Sequence, residues 1–228
     1  LLNSSKDLKS LYEFSLLRGH FKASIYKQGK KIKFDKYSDV AVYVNSTSVN
    51  IKNELKDLPK NSYVGFVNPS NRRWHIVFWA ILKAGFRPVL INERNNDEEI
   101  NDLLNSNHIK KVISYKQLIS NDHVILVEHI YSEKPVENYD NWADEVGFCT
   151  SGTEGKTKLC FYKGENIIYQ VASAKQLPYI NTDIMYTDYQ GVYRNLALLP
   201  FSHIFGFVAV YLWSFFFNKA IVYPSHMT

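Results

Sequence analysis

Residues 63–92 read YVGFVNPSNRRWHIVFWAILKAGFRPVLIN and predict a strand, a helix and a second strand. The compact apolar run at 63–68 is typical of a buried strand. Residues 71–84 carry their apolar side chains at helical spacing, and Gly85 supplies the stop that helices favour. Residues 88–92 are again apolar. Since a strand, a helix and a strand follow one another here, the stretch predicts a parallel pair of strands joined by a helical crossover.

The same alternation continues downstream. Three acidic residues at 97–99 place negative charge in the first turn of another helix, before predicted strands at 110–114 and 123–127. The pattern predicts an α/β fold with mostly parallel sheets and helices on both faces, and ligands bind such sheets beyond the carboxyl ends of the strands. Weaker patterns predict helices at 8–17, 35–55, from 164 and at 205–217, and strands at 23–26, 146–150, 159–162, 195–199 (buried) and 220–223.

The polar stretch at 128–144 is the one candidate boundary within the chain, and it is rich in turn-forming residues. It predicts two possible lobes, residues 1–140 and 141–228. The chain starts at Leu1 and ends directly after a strand-like run, which suggests that residues 1–228 are an incomplete domain.

Composition excludes several classes of protein. With 228 residues, 46% of them hydrophobic, the chain can form a globular core. The net charge of +5 comes from lysines scattered along the sequence, so we expect no nucleic-acid partner. The apolar run at 205–217 is shorter than the roughly 20 residues that a membrane helix needs, so we expect no transmembrane segment.

The two cysteines, Cys149 and Cys160, lie on predicted strands with no secretory signal before them. We therefore expect a reducing, cytoplasmic location and two free thiols, although a disulfide between them would clamp the intervening loop. The histidines show no metal-ligand spacing, so we expect no protein-held metal.

Residues 146–158 read VGFCTSGTEGKTK and place small residues, hydroxyls and two lysines directly after an apolar run. Glycines allow close approach of the backbone to a ligand, so successive N–H groups can converge on an anion. The stretch predicts a phosphate-binding loop, and an ordinary turn between two strands is the alternative. The groups expected to contact phosphate are Thr150, Ser151, Gly152, Thr153, Gly155 and Lys158.

Two common nucleotide motifs do not match this loop. A Walker A loop needs Gly or Ala five positions before Gly155, where Thr150 stands, and it opens a helix, whereas residues 159–162 predict a strand. The dinucleotide fingerprint needs three glycines ahead of a helix, and that spacing is absent.

Residues 150–158 instead resemble the signature loop of the adenylate-forming enzymes, which typically reads Thr-Ser-Gly-Thr-Thr-Gly-x-Pro-Lys. Two positions depart from it, with Glu154 in place of threonine and Thr157 in place of proline. Two further segments support the resemblance in the expected order: residues 63–92, and residues 199–206, which look like Leu-Pro-x-x-His-x-x-Gly. The resemblance spans nearly the whole chain and identifies it as the first part of the family's large N-terminal domain.

The resemblance implies an enzyme that activates a carboxylic acid with ATP and then passes the acyl group to a thiol of CoA or a carrier protein. Mg²⁺ would arrive with ATP. Lys158 would be the catalytic residue, and His203 would contact the substrate; the alternative for His203 is a cap on the following helix. The family's other binding segments lie downstream, so residues 1–228 alone are expected to be inactive.

The competing interpretation is a nucleotide-binding or regulatory protein that kept the fold and lost the chemistry. Glu154 and Thr157 favour it, because a carboxylate beside a triphosphate repels it by about 1 kcal/mol or more unless it points outward or faces a cation. Lys156 offers such a cation nearby.

Overall fold

The computed structural model describes residues 6–138, 140–150, 158–173 and 194–224. In these ranges the helices are α1 (Leu8–Leu16), α2 (Tyr37–Glu54), α3 (Arg72–Lys83), α4 (Asp97–Ser106), α5 (Val127–Ile130), α6 (Gly164–Ser173) and, after a π-helical segment (Gly206–Leu212), α7 (Trp213–Phe216). The strands are β1 (Lys22–Gln28), β2 (Lys31–Lys36), β3 (Tyr63–Val67), β4 (Arg87–Ile91), β5 (Val112–Ser114), β6 (Val124–Leu126), β7 (Glu145–Thr150), β8 (Lys158–Lys163), β9 (Arg194–Leu196) and β10 (Ala220–Val222).

The predicted crossover forms as expected. Asn71 caps α3, because its side-chain oxygen accepts hydrogen bonds from the N–H groups of Arg73 (2.9 Å) and Trp74 (3.2 Å). Gly85 lies between the end of α3 and the start of β4 and has φ +93°, a conformation that favours glycine. β3 and β4 then pair in parallel from Tyr63 opposite Arg87 to Val67 opposite Ile91.

The larger sheet has six strands in the order β6-β5-β3-β4-β7-β8. Every pair is parallel except β7 and β8, which form an antiparallel hairpin. This confirms the predicted α/β fold with mostly parallel strands.

Helices cover both faces of this sheet. Phe66 of β3 and Leu90 of β4 point into the larger core cluster, which includes α3 and the aromatic residues after position 200. Their chain neighbours Val67 and Ile91 point into a second cluster with α4. Since side chains alternate across a strand, this division follows directly from the sequence of β3 and β4.

The smaller sheet has four strands in the order β2-β1-β10-β9. β1 and β2 form a hairpin, and β10 pairs in parallel with both β1 and β9. The prediction of a buried strand at 195–199 is right about the strand, which is β9, but wrong about its burial. Leu196 and Leu198 are 49% and 59% exposed. β9 is an edge strand, so one of its sides lacks a neighbour among the described residues.

A buried ion pair joins the two sheets. Asp35 of β2 is 3% exposed and receives two hydrogen bonds from the guanidinium of Arg72, at 2.6 and 2.9 Å. Arg72 opens α3, which packs on the larger sheet. The predicted division into lobes at residues 1–140 and 141–228 stays a prediction, and both sheets take strands from each of these ranges.

Candidate functional site

The predicted phosphate loop lies between β7 and β8. The two strands pair along their whole length, and Thr150 opposite Lys158 is the last pair before the loop. The Thr150 hydroxyl donates a hydrogen bond of 3.2 Å to the Lys158 carbonyl. These two residues form the mouth of the loop. Residues 151–157, with Ser151, Gly152, Thr153 and Gly155, lie outside the described residues. Since β8 is a strand and not a helix, the context excludes a Walker A loop, as the sequence predicted.

The mouth of this loop lies at the carboxyl edge of the parallel strands. Val89 pairs with Gly147 and Leu90 with Phe148, so the register brings Asn92 level with Thr150. Open α/β sheets bind ligands at this edge. The exposed Lys158 therefore presents its ammonium group where an anion would approach.

The segment at 199–206 reaches the same edge. Ser70 follows the end of β3, and its hydroxyl accepts a hydrogen bond of 2.8 Å from the N–H of Phe201. Both residues are buried. The structure thus brings together two of the segments that carry the family resemblance, although Ser70 and Phe201 are 131 residues apart in the sequence.

His203 begins the helical segment that follows. Its Nδ1 accepts a hydrogen bond of 3.3 Å from the N–H of Phe205, and its carbonyl accepts one of 2.8 Å from Phe207. The capping role that the sequence left open is therefore present. The ring is also exposed, so it remains available to a ligand at this edge.

Gly206, the last residue of the same segment, has no room for a side chain. A Cβ at this position would lie 2.2 Å from the Pro200 carbonyl oxygen. The close approach of these two backbone segments explains why the motif ends on glycine, and it fixes the turn that presents His203.

Glu93 was not among the residues that the sequence singled out. It follows β4 at the carboxyl edge, and its Oε2 is buried without a hydrogen-bond partner among the described residues. A buried carboxylate oxygen without a partner is unusual and calls for a cation or a donor. Its place just beyond β4 was the only signal that could have found it.

The two cysteines beside the loop are free thiols. Burial raises the pKa of Cys149 to about 12, so this thiol stays protonated at neutral pH. A neutral, part-buried thiol is a poor nucleophile, and we assign Cys149 a packing role in β7.

The model of the AMP-binding enzyme family matches residues 36–228. The chain belongs to this family. No curated protein matches the sequence.

Solved structures of adenylate-forming enzymes share the fold of this AMP-binding chain. The N-terminal subdomain of Klebsiella oxytoca NpsA, in complex with 3-hydroxyanthranilyl-AMSN, matches with a TM-score of 0.74 at 17% identity over 96% of this chain and 54% of that one. O-succinylbenzoate coenzyme A synthetase (MenE) from Bacillus subtilis, with ATP and a magnesium ion, matches with a TM-score of 0.73 at 17% identity, over 93% and 56%.

A double mutant of the same MenE, bound to its product analogue OSB-NCoA, matches with a TM-score of 0.75 at 18% identity, over 94% and 43%. At these identities the likeness shows the fold. The chain spans about half the length of the structures that it matches, or less.

The residues at the carboxyl edge fit ATP and Mg²⁺ in their chemistry. Lys158 offers an exposed cation that forms no ion pair with any described residue. Glu93 offers a carboxylate oxygen that lacks a partner, and Mg²⁺ prefers such oxygen ligands. Among the described ranges, no helix is long and apolar enough to cross a membrane.

Proposed function

We propose that this chain belongs to an ATP-dependent ligase that activates a carboxylic acid as its acyl-adenylate and passes the acyl group to a thiol. The observation that carries the proposal is the position of the loop mouth. Thr150 and Lys158 lie at the carboxyl edge of the parallel sheet, and the segment at 199–206 is anchored to the same edge through Ser70.

Activation of a carboxylic acid by ATP depends mainly on stabilising the negative charge that develops on the phosphates. A carboxylate oxygen attacks the α-phosphorus, a P–O bond to the β-phosphate breaks, and pyrophosphate leaves with the negative charge. In our proposal Lys158 stabilises that charge, while the backbone N–H groups of Ser151, Gly152, Thr153 and Gly155 hold the phosphates. Glu93 is a carboxylate that this edge offers to Mg²⁺.

The exposed His203 is the proposed contact for the acid and for the incoming thiol. Its Nδ1 is held by the Phe205 N–H, so the ring orientation is restrained by the backbone. We propose CoA or a carrier-protein thiol as the acceptor. The product analogue bound by MenE supports the first of these by likeness only.

Acid-dependent ATP–pyrophosphate exchange tests the proposal. The full-length protein is incubated with MgATP, labelled pyrophosphate and a panel of aliphatic and aromatic acids. Exchange that requires one class of acid is the expected result. Adding CoA should then convert the adenylate to a thioester that mass spectrometry detects, and no exchange with any acid would contradict the proposal.

A second candidate is a catalytically degenerate nucleotide-binding or regulatory protein, and Glu154 and Thr157 favour it. Calorimetry with MgATP separates the two. Binding without exchange supports the degenerate protein, whereas an active enzyme should tolerate Glu154→Thr and retain exchange. We expect residues 1–228 alone to show no exchange, because they span only about half the length of the enzymes that they resemble.

A further inference from the structure

The lysines are spread along the sequence as a whole, but the β1–β2 hairpin carries a local concentration of them. Residues 22–36 contain six lysines and a single acidic residue, Asp35, so the hairpin carries as much formal charge as the +5 of the whole chain. The lysines are Lys22, Lys27, Lys30, Lys31, Lys33 and Lys36. Within the part of the chain that the structure describes, none of them forms an ion pair.

Asp35 does not offset this charge at the surface. Its carboxylate is buried and is already bound by Arg72 and by the hydroxyl of Ser24, at 2.8 Å. The outer surface of the hairpin is therefore purely cationic among its ionisable groups. Lysine charge of this density attracts an anionic surface over about one Debye length, roughly 8 Å at physiological salt.

Two apolar side chains lie among these lysines. Ile32 is 80% exposed and Phe34 is 47% exposed. Lys27 pairs with Ile32 across the hairpin, so the two side chains share one face of the sheet. The ammonium group of Lys22 lies 4.5 Å from the centre of the Phe34 ring. This face thus presents an aromatic and an aliphatic group beside Lys22 and Lys27, while Lys31 and Lys33 project from the other face of the same strand.

Protection of a sheet edge explains only half of this pattern. Lysines on an edge strand such as β2 discourage pairing with another chain. Exposed Ile32 and Phe34 work against that protection, because apolar groups on an open edge favour association. A bilayer interface accommodates both kinds of side chain, since apolar groups enter the headgroup region while lysines reach the phosphates.

We propose that the β1–β2 hairpin is a peripheral docking surface for bilayers rich in anionic phospholipids. The charge complementarity selects anionic headgroups, and Ile32 and Phe34 add shallow apolar insertion. An acidic protein or a soluble polyanion would use the lysines but would gain little from the two apolar side chains.

Vesicle co-sedimentation of the full-length protein tests this proposal. Vesicles of phosphatidylcholine alone are compared with vesicles that also contain phosphatidylserine. We expect binding to the mixed vesicles, little binding to the neutral ones, and loss of binding at high salt. Each lysine near an anionic surface contributes about a fivefold change in partitioning, so Lys27→Glu with Lys30→Glu should lower it by about 25-fold or more.

Matched variants separate charge from insertion. Lys56→Glu with Lys60→Glu reverses two exposed lysines elsewhere and should leave partitioning unchanged. Ile32→Ser with Phe34→Ser should lower partitioning by about tenfold or more, whereas Ile119→Ser, at a residue that is 74% exposed, should not. Thermal melts of each variant check that the fold is retained.

Three outcomes would overturn the proposal. The first is no binding to anionic vesicles, and the second is binding that ignores both hairpin variants. The third is binding to vesicles that depends on Lys27 and Lys30 but not on Ile32 and Phe34. In that outcome the protein would also bind soluble polyglutamate as tightly as it binds the anionic vesicles. That result would assign the hairpin to an acidic macromolecule instead.

Discussion

The two sheets of this chain differ in what they expose. The central strands of the six-stranded sheet, such as β3 and β4, are covered on both faces and expose chiefly their ends, and Glu93, Thr150 and Lys158 lie at its carboxyl edge. Its edge strand β8 is more open. The four-stranded sheet ends in the lysine-rich edge strand β2, whose side chains are mostly open. A covered sheet offers an edge suited to a small ligand, whereas an open sheet offers a face suited to a large surface.

The largest expected difference between the sheets is in stability. Trp74 is 1% exposed and packs against Phe66, Phe78 and Tyr211, so Trp74→Ala should lower the free energy of unfolding by about 4 kcal/mol. Ile32→Ala on β2 should change it by less than about 0.5 kcal/mol. Urea denaturation measures both free energies of unfolding. Equal losses in the two variants would contradict the proposed difference between the two sheets.

The ion pair that joins the sheets should give the next largest effect. Asp35→Ala leaves the part-buried Arg72 without its bidentate partner and should cost about 3 kcal/mol. The remaining contact of Arg72 with Glu133, at 2.7 Å, limits the loss. Replacing Asp57, an exposed acid for which no ion pair is found among the described residues, by alanine is the matched control. If Asp35→Ala were as stable as that control, the two sheets would not depend on this pair.

Buried His75 should make the covered side of the molecule sensitive to acid. Burial lowers its pKa to about 4 from the ordinary 6.5, and Nδ1 lies 2.8 Å from the Tyr223 hydroxyl. Between about pH 6.5 and pH 4 the His75 side chain is protonated in the unfolded chain but stays neutral in the folded chain. Stability from this group is therefore complete above pH 6.5 and falls by about 3 kcal/mol as the pH approaches 4.

The check is the difference between the wild type and His75→Gln in urea unfolding across this pH range. The variant should show a shallower loss of stability toward low pH, because it has no proton to bind. Parallel pH profiles would show that the acid sensitivity arises elsewhere.

A small effect on stability is expected from a change at Glu93, at the carboxyl edge of the six-stranded sheet. Its buried Oε2 has no hydrogen-bond partner among the described residues, so Glu93→Gln should change the free energy of unfolding by less than about 1 kcal/mol. The same variant should need a higher Mg²⁺ concentration to bind ATP, which calorimetry measures. Glu98→Gln, on the exposed first turn of α4, should leave that concentration unchanged, and a similar shift in both variants would remove Glu93 from the site.

How far the sequence predicts the structure also differs between the two sheets. The strands and helices of residues 63–106 follow from apolar spacing, the Asn71 cap and Gly85, because local patterns determine them. β2 was missed, since its lysines made residues 31–36 look like coil until β1 supplied a partner. The pairing of Ser24 with Ile221 joins residues nearly 200 positions apart in sequence, which no local pattern contains.

The candidate site divides in the same way. The loop mouth and the segment at 199–206 could be recognised from residue types, and His203 was named with both of its alternatives. The hydrogen bond from Phe201 to Ser70, which anchors that segment to the sheet, required the fold. Glu93 required it too, because only burial shows that its oxygen lacks a partner.

The central claim is that Lys158 stabilises charge at the carboxyl edge during acid activation. The most direct test is acid-dependent ATP–pyrophosphate exchange by the full-length Lys158→Ala protein beside Lys163→Ala, an exposed lysine at the other end of β8. Exchange should fall on the order of 100- to 1000-fold in the first variant and by less than about twofold in the second. Full exchange in Lys158→Ala would contradict the account.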